Sequence, residues 1–335
     1  MTDISSRALP EDRKAVVDAF ARRHHFKWWE AIPWLVAVAC YFLFESYHAL
    51  GAQIFATILF ALSLDLLIGF AGIVTLGHAA FFGVGAYAAG VMAANGWHEP
   101  LSEVLVAAVI AAGVGFASGL IVLRTAGLTL LMQTLVVAAL LQELANKWSS
   151  VTGGSDGLLG MKIDPIFGLF RFDLFGDTAY VYCLIVLFLG WLLARNIVYS
   201  SFGRSLTGIR ENTNRMHAIG APVDRRKIVI YTISAALAGV SGALIAQTTA
   251  LVGLNTLALS KSGELIIMLV IGGIGRLYGA FIGVPLYMIA QDRFSQIDPI
   301  YWYFWIGLFM IFVVVFARGG VLGVFERFNQ RRRSR

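Results

Sequence analysis

The chain contains little charge for its length. Of its 335 residues, 14% are Asp, Glu, Lys or Arg, whereas 58% are hydrophobic and the mean hydropathy is +0.75. These residues supply too little polar surface to cover a soluble globule of this size. Apolar stretches recur along nearly the whole chain without a polar gap of domain size. The sequence therefore predicts one membrane domain with short tails.

The sequence also lacks residues that several other functions require. Its two cysteines, Cys40 and Cys183, lie in apolar runs, lack partners at metal-ligand spacing and are too few for a disulfide framework. No lysine follows a glycine, so the Gly-Lys-Ser/Thr end of an ATP-binding loop is absent. We expect no ATP hydrolysis by this chain alone, no catalytic residue, no metal site and no cofactor.

Long apolar runs provide the main structural signal. A transmembrane helix needs roughly 20 apolar residues, and the runs predict an all-α, polytopic integral membrane protein with about ten (8–10) transmembrane helices. The runs lie at 29–46, 47–68, 76–94, 101–123, 126–143, 178–195, 228–252, 262–275, 277–291 and 300–317. The predicted membrane domain spans 29–318. A tail at 1–28, which is either an interfacial amphipathic helix or a solvated segment, precedes it, and a basic tail at 319–335 follows.

The Lys and Arg residues are distributed unevenly between the two sides of this topology. Of the 26, the connections on one side carry 21 and those on the other side carry five. Because cytoplasmic loops are enriched in Lys and Arg, this bias predicts that both termini are cytoplasmic. The aromatic cluster at 301–305 is then expected at the outer interface.

The predicted outer loop, residues 145–177, is rich in turn-forming residues between Trp148 and Gly157. Residues 153–157 (GGSDG) match the G-x-S-x-G pattern of hydrolases, but that chemistry requires a preceding strand, a following helix and a histidine base. A tight turn is therefore favoured over a nucleophilic Ser155. We expect a folded loop that either caps the outer mouth or meets another protein. The candidate docking residues are Thr152, Gly153, Gly154 and Asp156.

The predicted inner loop, residues 196–227, carries apolar residues at helical spacing. Leu206 and Ile209 form one such group, and Met216 and Ile219 form a second, so one or two short amphipathic helices are expected. A helix of this kind needs a partner protein or a membrane surface to cover its apolar side. The candidate contact residues in this loop are Gly203, Arg204, Arg210, Glu211, Asn212 and Gly220.

Two glycine-rich runs, at 68–87 and 271–283, contain five glycines each. Such runs permit close helix packing or interrupted helices around a polar path. They align at an offset of 200 residues, as a duplicated segment would, although Gly/Ala/Phe-rich sequence also matches itself readily. For Asp65, which precedes the first run, a structural bond to glycine-rich backbone is favoured over a proton relay. The candidate path residues are Thr75, His78, Gly83, Gln133 and Gln247.

Four segments in order carry a family resemblance: residues 65–87 (DLLIGFAGIVTLGHAAFFGVGAY), 151–157 (VTGGSDG), 203–212 (GRSLTGIREN) and 272–275 (GGIG). Together they resemble the LivM-type permeases of bacterial branched-chain amino-acid ABC importers. The resemblance implies an inner-membrane permease subunit working with a second permease, two cytoplasmic ATP-binding subunits and a periplasmic solute-binding protein. It also implies that the inner loop contacts an ATPase. Relatives of this type also import urea, short amides and other small acids, and a secondary transporter or channel is the rival class.

Overall fold

The computed structural model describes residues 28–161, 163–165 and 176–316, together with Gly320 and Gly323. The predicted N-terminal amphipathic segment, the middle of the 145–177 loop and most of the basic C-terminal tail lie outside these residues. The described chain forms two units, one ending at Leu43 and the other beginning at Phe44. In the first unit, a 3-10 turn (Trp28–Ala31) leads into the apolar helix α1 (Ile32–Leu43).

The second unit is almost entirely helical. Its helices are α2 (His48–Asp65), α3 (Ala79–Ala94), α4 (Pro100–Val122), α5 (Leu128–Lys147), α6 (Ser149–Thr152), α7 (Asp177–Tyr199), α8 (Ser201–Glu211), α9 (Thr213–Ala218), α10 (Val223–Thr249), α11 (Leu259–Gly272), α12 (Gly279–Ile297) and α13 (Trp302–Phe316). Short 3-10 turns occur at Glu45–Tyr47 and Leu254–Thr256, and a π-helical turn, Leu66–Ala71, extends α2. A helix lies at each of the ten predicted apolar runs, so the all-α prediction is confirmed.

Among the residues that the structure describes, five helical segments are long and apolar enough to cross a bilayer: Glu45–Ala71, Pro100–Val122, Leu128–Lys147, Asp177–Tyr199 and Val223–Thr249. Shorter apolar helices occupy Ile32–Leu43, Ala79–Ala94 and Trp302–Val313. Large apolar side chains on the outward faces of these helices are exposed, as in Met132, Val136 and Leu140 of α5. Exposed apolar faces of this kind suit contact with lipid or with another membrane helix.

Helix α10 lies at the centre of the second unit and packs against α2, α3 and α4. Small residues make these contacts close. Gly239 of α10 contacts Gly85 of α3 and Ala111 of α4. A β-carbon built on Gly239 would also lie only 2.9 Å from the carbonyl oxygen of Ala107. Close backbone approach through small residues is a usual way to associate helices within a bilayer, where apolar burial gives little driving force.

Two buried serines of α10 also bond to the backbone of α2. Ser234 donates to the carbonyl of Ser63 at 2.5 Å, and Ser241 donates to the carbonyl of Ala56 at 2.6 Å. Both serine side chains are fully buried. These bonds fix the register of α10 along α2.

The two glycine-rich runs form the same local structure. The helical path of α2 ends at Gly72 (φ 71°), an irregular stretch follows, and α3 begins at Ala79. Likewise α11 ends at Gly272, the irregular stretch contains Gly273 (φ 111°) and Gly275 (φ 75°), and α12 begins at Gly279. The two helix breaks, residues 72–78 and 273–278, therefore follow the offset of 200 residues that aligns the sequence. Whether that offset marks a duplication stays a prediction.

The described part of the 145–177 loop is folded, as predicted, against the segment that follows α10. Strand β1 (Leu158–Leu159) pairs antiparallel with β2 (Leu251–Val252), and Leu158 lies opposite Val252. The amide of Gly160 donates to the carbonyl of Ala250 at 3.2 Å. This two-stranded ribbon fixes the loop over the ends of α3 and α10.

Candidate functional site

The first candidate site is the α8–α9 segment, residues 201–218. Helix α8 begins at an N-cap, because the side chain of Ser200 accepts a hydrogen bond from the amide of Gly203 at 3.2 Å. Its apolar side chains, Leu206 and Ile209, are each 1% exposed. A β-carbon at Gly203 would collide with carbonyl oxygens of the last turn of α7. The first predicted amphipathic helix is therefore present as α8, and its apolar face is covered by the chain itself. Ile219, of the second predicted group, lies beyond the end of α9 and is 70% exposed.

Helix α9 folds back on α8 across a sharp turn. The side chain of Asn212 caps α9 by accepting from the amide of Arg215 at 2.9 Å. Met216 packs against Gly208, where a β-carbon would lie 2.9 Å from its sulfur atom. Gly220 (φ 77°) ends the segment in the left-handed conformation that favours glycine after a helix. Asn212, Gly208 and Gly220 therefore shape the segment.

Arg210, in the last turn of α8, contacts the first helix break. Its Nη1 donates a hydrogen bond to the carbonyl of Gly69, in the π-helical turn. Its aliphatic stem lies beside Gly72, where a β-carbon would be 2.6 Å from Cγ. Arg210 is nevertheless exposed, as are Arg204 and Glu211, two other predicted contact residues on α8. The segment thus presents a polar surface outward, and one nitrogen of Arg210 also bonds to the chain itself.

The second helix break meets the first at the same place. The carboxylate of Asp65 is buried, and its Oδ1 accepts a hydrogen bond from the amide of Gly275 at 2.7 Å. A β-carbon at Gly69 would lie only 2.6 Å from the Cα and amide nitrogen of Gly275. Asp65 therefore bonds to glycine-rich backbone, as predicted. The bond is made to Gly275 of the second glycine-rich run, 210 residues away, and not to the run that adjoins Asp65.

Two of the predicted path residues, Thr75 and His78, lie in the first break. Thr75 is fully buried, and its hydroxyl accepts from the amide of Gly77 at 3.2 Å. His78 is fully buried, lies 2.8 Å from the hydroxyl of Ser63 through Nε2, and stacks on Phe60 at a centroid distance of 5.5 Å. Within the described chain its Nδ1 has no hydrogen-bond partner. Both side chains therefore face the interior of this chain.

The other three predicted path residues are scattered. Gly83 of α3 packs against the side chain of Leu257, which a β-carbon would overlap. Gln133 of α5 is half-buried and accepts from the hydroxyl of Thr125 at 2.8 Å. Gln247 lies near the far end of α10 from the helix breaks and belongs to a different polar cluster. The structure therefore places Thr75 and His78 together in one break but does not join them to Gln133 or Gln247.

That second cluster centres on Glu103, a buried acid near the start of α4. The amide nitrogen of Gln247 donates to Glu103 Oε2 at 2.8 Å and to the carbonyl of Pro100 at 2.9 Å. The hydroxyl of Tyr182 also donates to Pro100 O, at 3.4 Å. The side chain of Glu103 is only 1% exposed and is held by Gln247. Nothing in the sequence near Glu103 or Gln247 indicates that these two residues of α4 and α10 meet.

The predicted docking turn is anchored at its base and free at its tip. Thr152 is buried and donates to the carbonyls of Ala145 and Trp148, while Gly153 (φ 74°) and Gly154 (φ 59°) adopt left-handed conformations. At the exposed tip, the hydroxyl of Ser155 donates to Asp156 at 3.2 Å. No strand precedes this serine in the described chain between α5 and the turn, and a short helix, α6, lies there instead. The local structure is a turn, as favoured from the sequence.

Sequence reasoning missed the buried serines that join these elements. Ser262 of α11 accepts from the amide of Ala79 at 2.9 Å and so caps the start of α3 from a distant helix. Ser63 instead contacts Nε2 of His78, and Ser234 donates to the carbonyl of Ser63; all three serines are fully buried. A serine inside an apolar run is the signal that was available. Among the described residues, no group of three or more His, Cys, Asp or Glu side chains is arranged to hold a metal ion.

These observations define a class of protein. Apolar helices of membrane-spanning length, two glycine-broken helices in contact and an amphipathic helix pair beside the breaks are the features of a multi-pass membrane transport protein. The family follows from comparison of the sequence. The chain belongs to the family described as the branched-chain amino acid transport system / permease component, whose profile matches residues 47–314.

Two curated relatives carry the same name, high-affinity branched-chain amino acid transport system permease protein LivM. The protein of Escherichia coli (strain K12) is 23% identical over 286 residues, which cover 79% of this chain and 67% of the relative. The protein of Salmonella typhimurium (strain LT2) is 22% identical over the same shares. No solved structure matches the chain. The predicted resemblance to LivM-type permeases is thereby confirmed.

Proposed function

We propose that this chain is the membrane-spanning permease subunit of an ATP-driven ABC importer that carries branched-chain or related hydrophobic amino acids. The chain works with a second permease subunit, two cytoplasmic ATP-binding subunits and a periplasmic solute-binding protein. It resides in a bacterial inner membrane with both termini in the cytoplasm. Family membership supports the transport role, and the relatives' names support the solute class.

The observation that carries the proposal is the α8–α9 segment. Because Leu206 and Ile209 are covered by the chain itself, the face that stays exposed is polar and includes Arg204, Glu211 and Asn212. A polar face between two membrane-length helices, α7 and α10, suits a soluble protein better than a lipid surface. An energy source outside the chain is consistent with the absence of an ATP-binding loop from its sequence. We assign this face to the contact with an ATP-binding subunit.

At the opposite end of α10, the turn at Thr152–Asp156 is our proposed docking point for the solute-binding protein. Its base is held by the β1–β2 ribbon and by the buried hydroxyl of Thr152, so the exposed Asp156 is presented on a fixed support. A preordered loop loses less conformational entropy on binding than a mobile one. Exposed carboxylates such as Asp156 suit a basic group on the partner.

The proposed solute path passes the first helix break, with Thr75 and His78 as polar groups near it and Gly83 beside it. Because Gly83 packs on Leu257, this part of the path can be tested by changing both residues. In Gly83→Leu the added side chain overlaps Leu257, so transport should stop. If crowding alone is responsible, Gly83→Leu combined with Leu257→Ala should recover most of the transport. Normal transport by Gly83→Leu alone would remove Gly83 from the path.

The function as a whole is tested by reconstitution. The chain is co-expressed with its neighbouring permease and ATP-binding subunits, purified by a tag on this chain, and placed in proteoliposomes with the binding protein. We expect ATP-binding subunits to co-purify and labelled leucine to accumulate only when ATP and the binding protein are both present. Unlabelled isoleucine and valine should compete, whereas urea and a short amide should not.

Each alternative has its own outcome in this assay. Leucine flux that follows an ion gradient without ATP would establish a secondary transporter, and passive flux down the solute gradient would establish a channel. ATP-dependent uptake that is blocked by urea or the amide but not by isoleucine would keep the importer and change the solute. Failure of any ATP-binding subunit to co-purify would overturn the importer.

A further inference from the structure

One arginine joins the α8–α9 segment to both helix breaks. Arg210 Nη1 donates to the carbonyl of Gly69, and Gly275 lies so near that a β-carbon on it would be 3.2 Å from the same nitrogen. Gly69 lies in the π-helical turn that leads into the first break, and Gly275 lies in the second break. The guanidinium therefore sits where α8, the end of α2 and the turn between α11 and α12 converge.

The chemistry of this contact follows from how helices end. The carbonyls of the last helical turn have no amide ahead of them to bond, and they form the negative end of the helix dipole. Gly69 lies in that last turn, because the helical path of α2 stops at Ala71. A cationic donor at this position satisfies a carbonyl and is favoured by the dipole. Arg210 supplies such a donor from another helix.

Asp65 extends the contact to the second break. Its Oδ1 would overlap a β-carbon built on Gly69, the residue whose carbonyl Arg210 binds, and it holds the amide of Gly275 at 2.7 Å. The side chain of Asp65 is buried. A displacement of Arg210 thus changes the environment of Gly69 directly and that of Gly275 through Asp65.

The neighbouring glycines pack closely around the Arg210 contact, so a movement of the arginine is passed to them. A β-carbon on Gly69 would overlap the backbone of Gly275, and Gly72 leaves just enough room for the arginine stem. In membrane transporters, broken helices form the solute site, and during alternating access one helix bundle rocks against another around it. A rigid helix that grips two such breaks at once can move them together.

We propose that Arg210 is a positioning residue that transmits displacement of the α8–α9 segment to both helix breaks. Arg210 is exposed like Arg204 and Glu211, and its bond to Gly69 gives it this second role beside the polar face that meets the ATP-binding subunit. The inference rests on the proposed function, since it assumes that the segment receives its displacement from such a subunit. It predicts that replacing Arg210 uncouples transport from ATP hydrolysis while the subunits still assemble.

The test compares Arg210→Met with Arg225→Met in the reconstituted complex. Arg225 is an exposed arginine at the start of α10, so its replacement removes one positive charge from the same loop without touching the breaks. Three quantities are measured: recovery of ATP-binding subunits, ATP hydrolysis stimulated by the binding protein, and leucine transported per ATP hydrolysed. For Arg210→Met we expect normal recovery, persistent hydrolysis and a transport-to-ATP ratio reduced about tenfold, within the usual range of coupling between sites.

Two further variants guard against a folding defect. Arg210→Lys keeps a cationic donor of shorter reach and should recover part of the ratio. Asp65→Asn keeps an oxygen for the amide of Gly275 but removes the charge that faces Arg210, so it should lower the ratio by a smaller factor. Should Arg210→Met fail to fold, Asp65→Asn decides the matter, and an unchanged ratio there would overturn the proposal.

The outcomes separate this inference from the proposed function. Loss of ATP-binding subunits in Arg210→Met would make Arg210 a docking contact and overturn the positioning role while leaving the importer intact. An unchanged ratio in Arg210→Met, or an equal loss in Arg225→Met, would also overturn it. If the unmodified complex neither recovers ATP-binding subunits nor requires ATP, the proposed function fails instead.

Discussion

The carboxylate of Asp65 accepts a hydrogen bond from the backbone amide of Gly275, 210 residues further along the chain. The acid ends one long helix and the glycine lies in the break between two others. This bond joins two glycine-rich segments that the sequence presents as separate motifs. It makes the stability of the second break depend on a side chain from the helix that leads into the first.

The first prediction concerns that bond. Asp65→Ala should lower the free energy of unfolding by roughly 1–3 kcal/mol, because the amide of Gly275 loses its acceptor in a poorly solvated place. Asp65→Asn, which keeps an oxygen at the same position, should cost less. Thermal unfolding of the purified chain in detergent measures both. A melting temperature for Asp65→Ala equal to that of the unmodified chain would contradict the structural role.

A second prediction compares two glycines in apolar helices. Gly242→Ala should destabilise the chain by about 1–3 kcal/mol, because a β-carbon there would run into the carbonyl oxygen of Phe82. Gly113 of α4 has no atom of another residue within 4 Å of a built β-carbon, so Gly113→Ala should be neutral or stabilising by up to ~1 kcal/mol. Unfolding in detergent again provides the measurement. Equal effects at the two positions would argue against close packing of α10 on α3.

The third prediction concerns the turn between α8 and α9. Asn212→Ala removes the N-cap of α9 and should cost the helix about 1 kcal/mol, whereas Asn212→Ser should preserve most of the cap. Because the loss is local, hydrogen exchange at the amide of Arg215 and its neighbours should become several-fold faster, while exchange in α10 stays unchanged. Unaltered exchange at Arg215 in Asn212→Ala would show that another group caps the helix.

The fourth prediction concerns the exposed turn of the 145–177 loop. Asp156→Lys should raise, by about tenfold at low salt and by less at high salt, the concentration of binding protein that half-saturates ATP hydrolysis. Basal hydrolysis should stay the same. Ser155→Ala serves as the matched control, since it alters the same turn without reversing charge, and it should leave the curve unchanged. If Asp156→Lys leaves the curve in place as well, the loop is a cap and docking occurs elsewhere.

Local patterns in the sequence predicted the helices well. Each apolar run marks a helix, with ends displaced by a few residues, and the spacing of Leu206 and Ile209 marks the buried side of α8. These features depend on residues close together in the chain, so periodicity and composition reveal them. The same reasoning found the turn around Gly153 and the two glycine breaks.

Contacts between remote segments were beyond the same reasoning. The contact of Arg210 with a partner stays a prediction, whereas the bond from its guanidinium to Gly69 of its own chain was not foreseen. The β1–β2 ribbon and the bond between Gln247 and Glu103 likewise join segments far apart in sequence. Such pairings leave no periodic trace in either segment, because each partner is fixed by the packing of the whole bundle. Only the offset of 200 residues hinted at a relation between the two breaks.

The central position of α10 has a consequence for biosynthesis. Its serines bond to carbonyls of α2 that precede them by 171 and 185 residues. At roughly 5–20 residues per second, a ribosome needs about 10–40 s to produce that length of chain. During this interval α2, α3 and α4 are already in or near the bilayer while the partner of their small-residue faces does not yet exist. A nascent chain arrested before Val223 would therefore expose those faces to lipid or to chaperones, and photocrosslinking from Gly85 should detect such neighbours only until α10 has been synthesised.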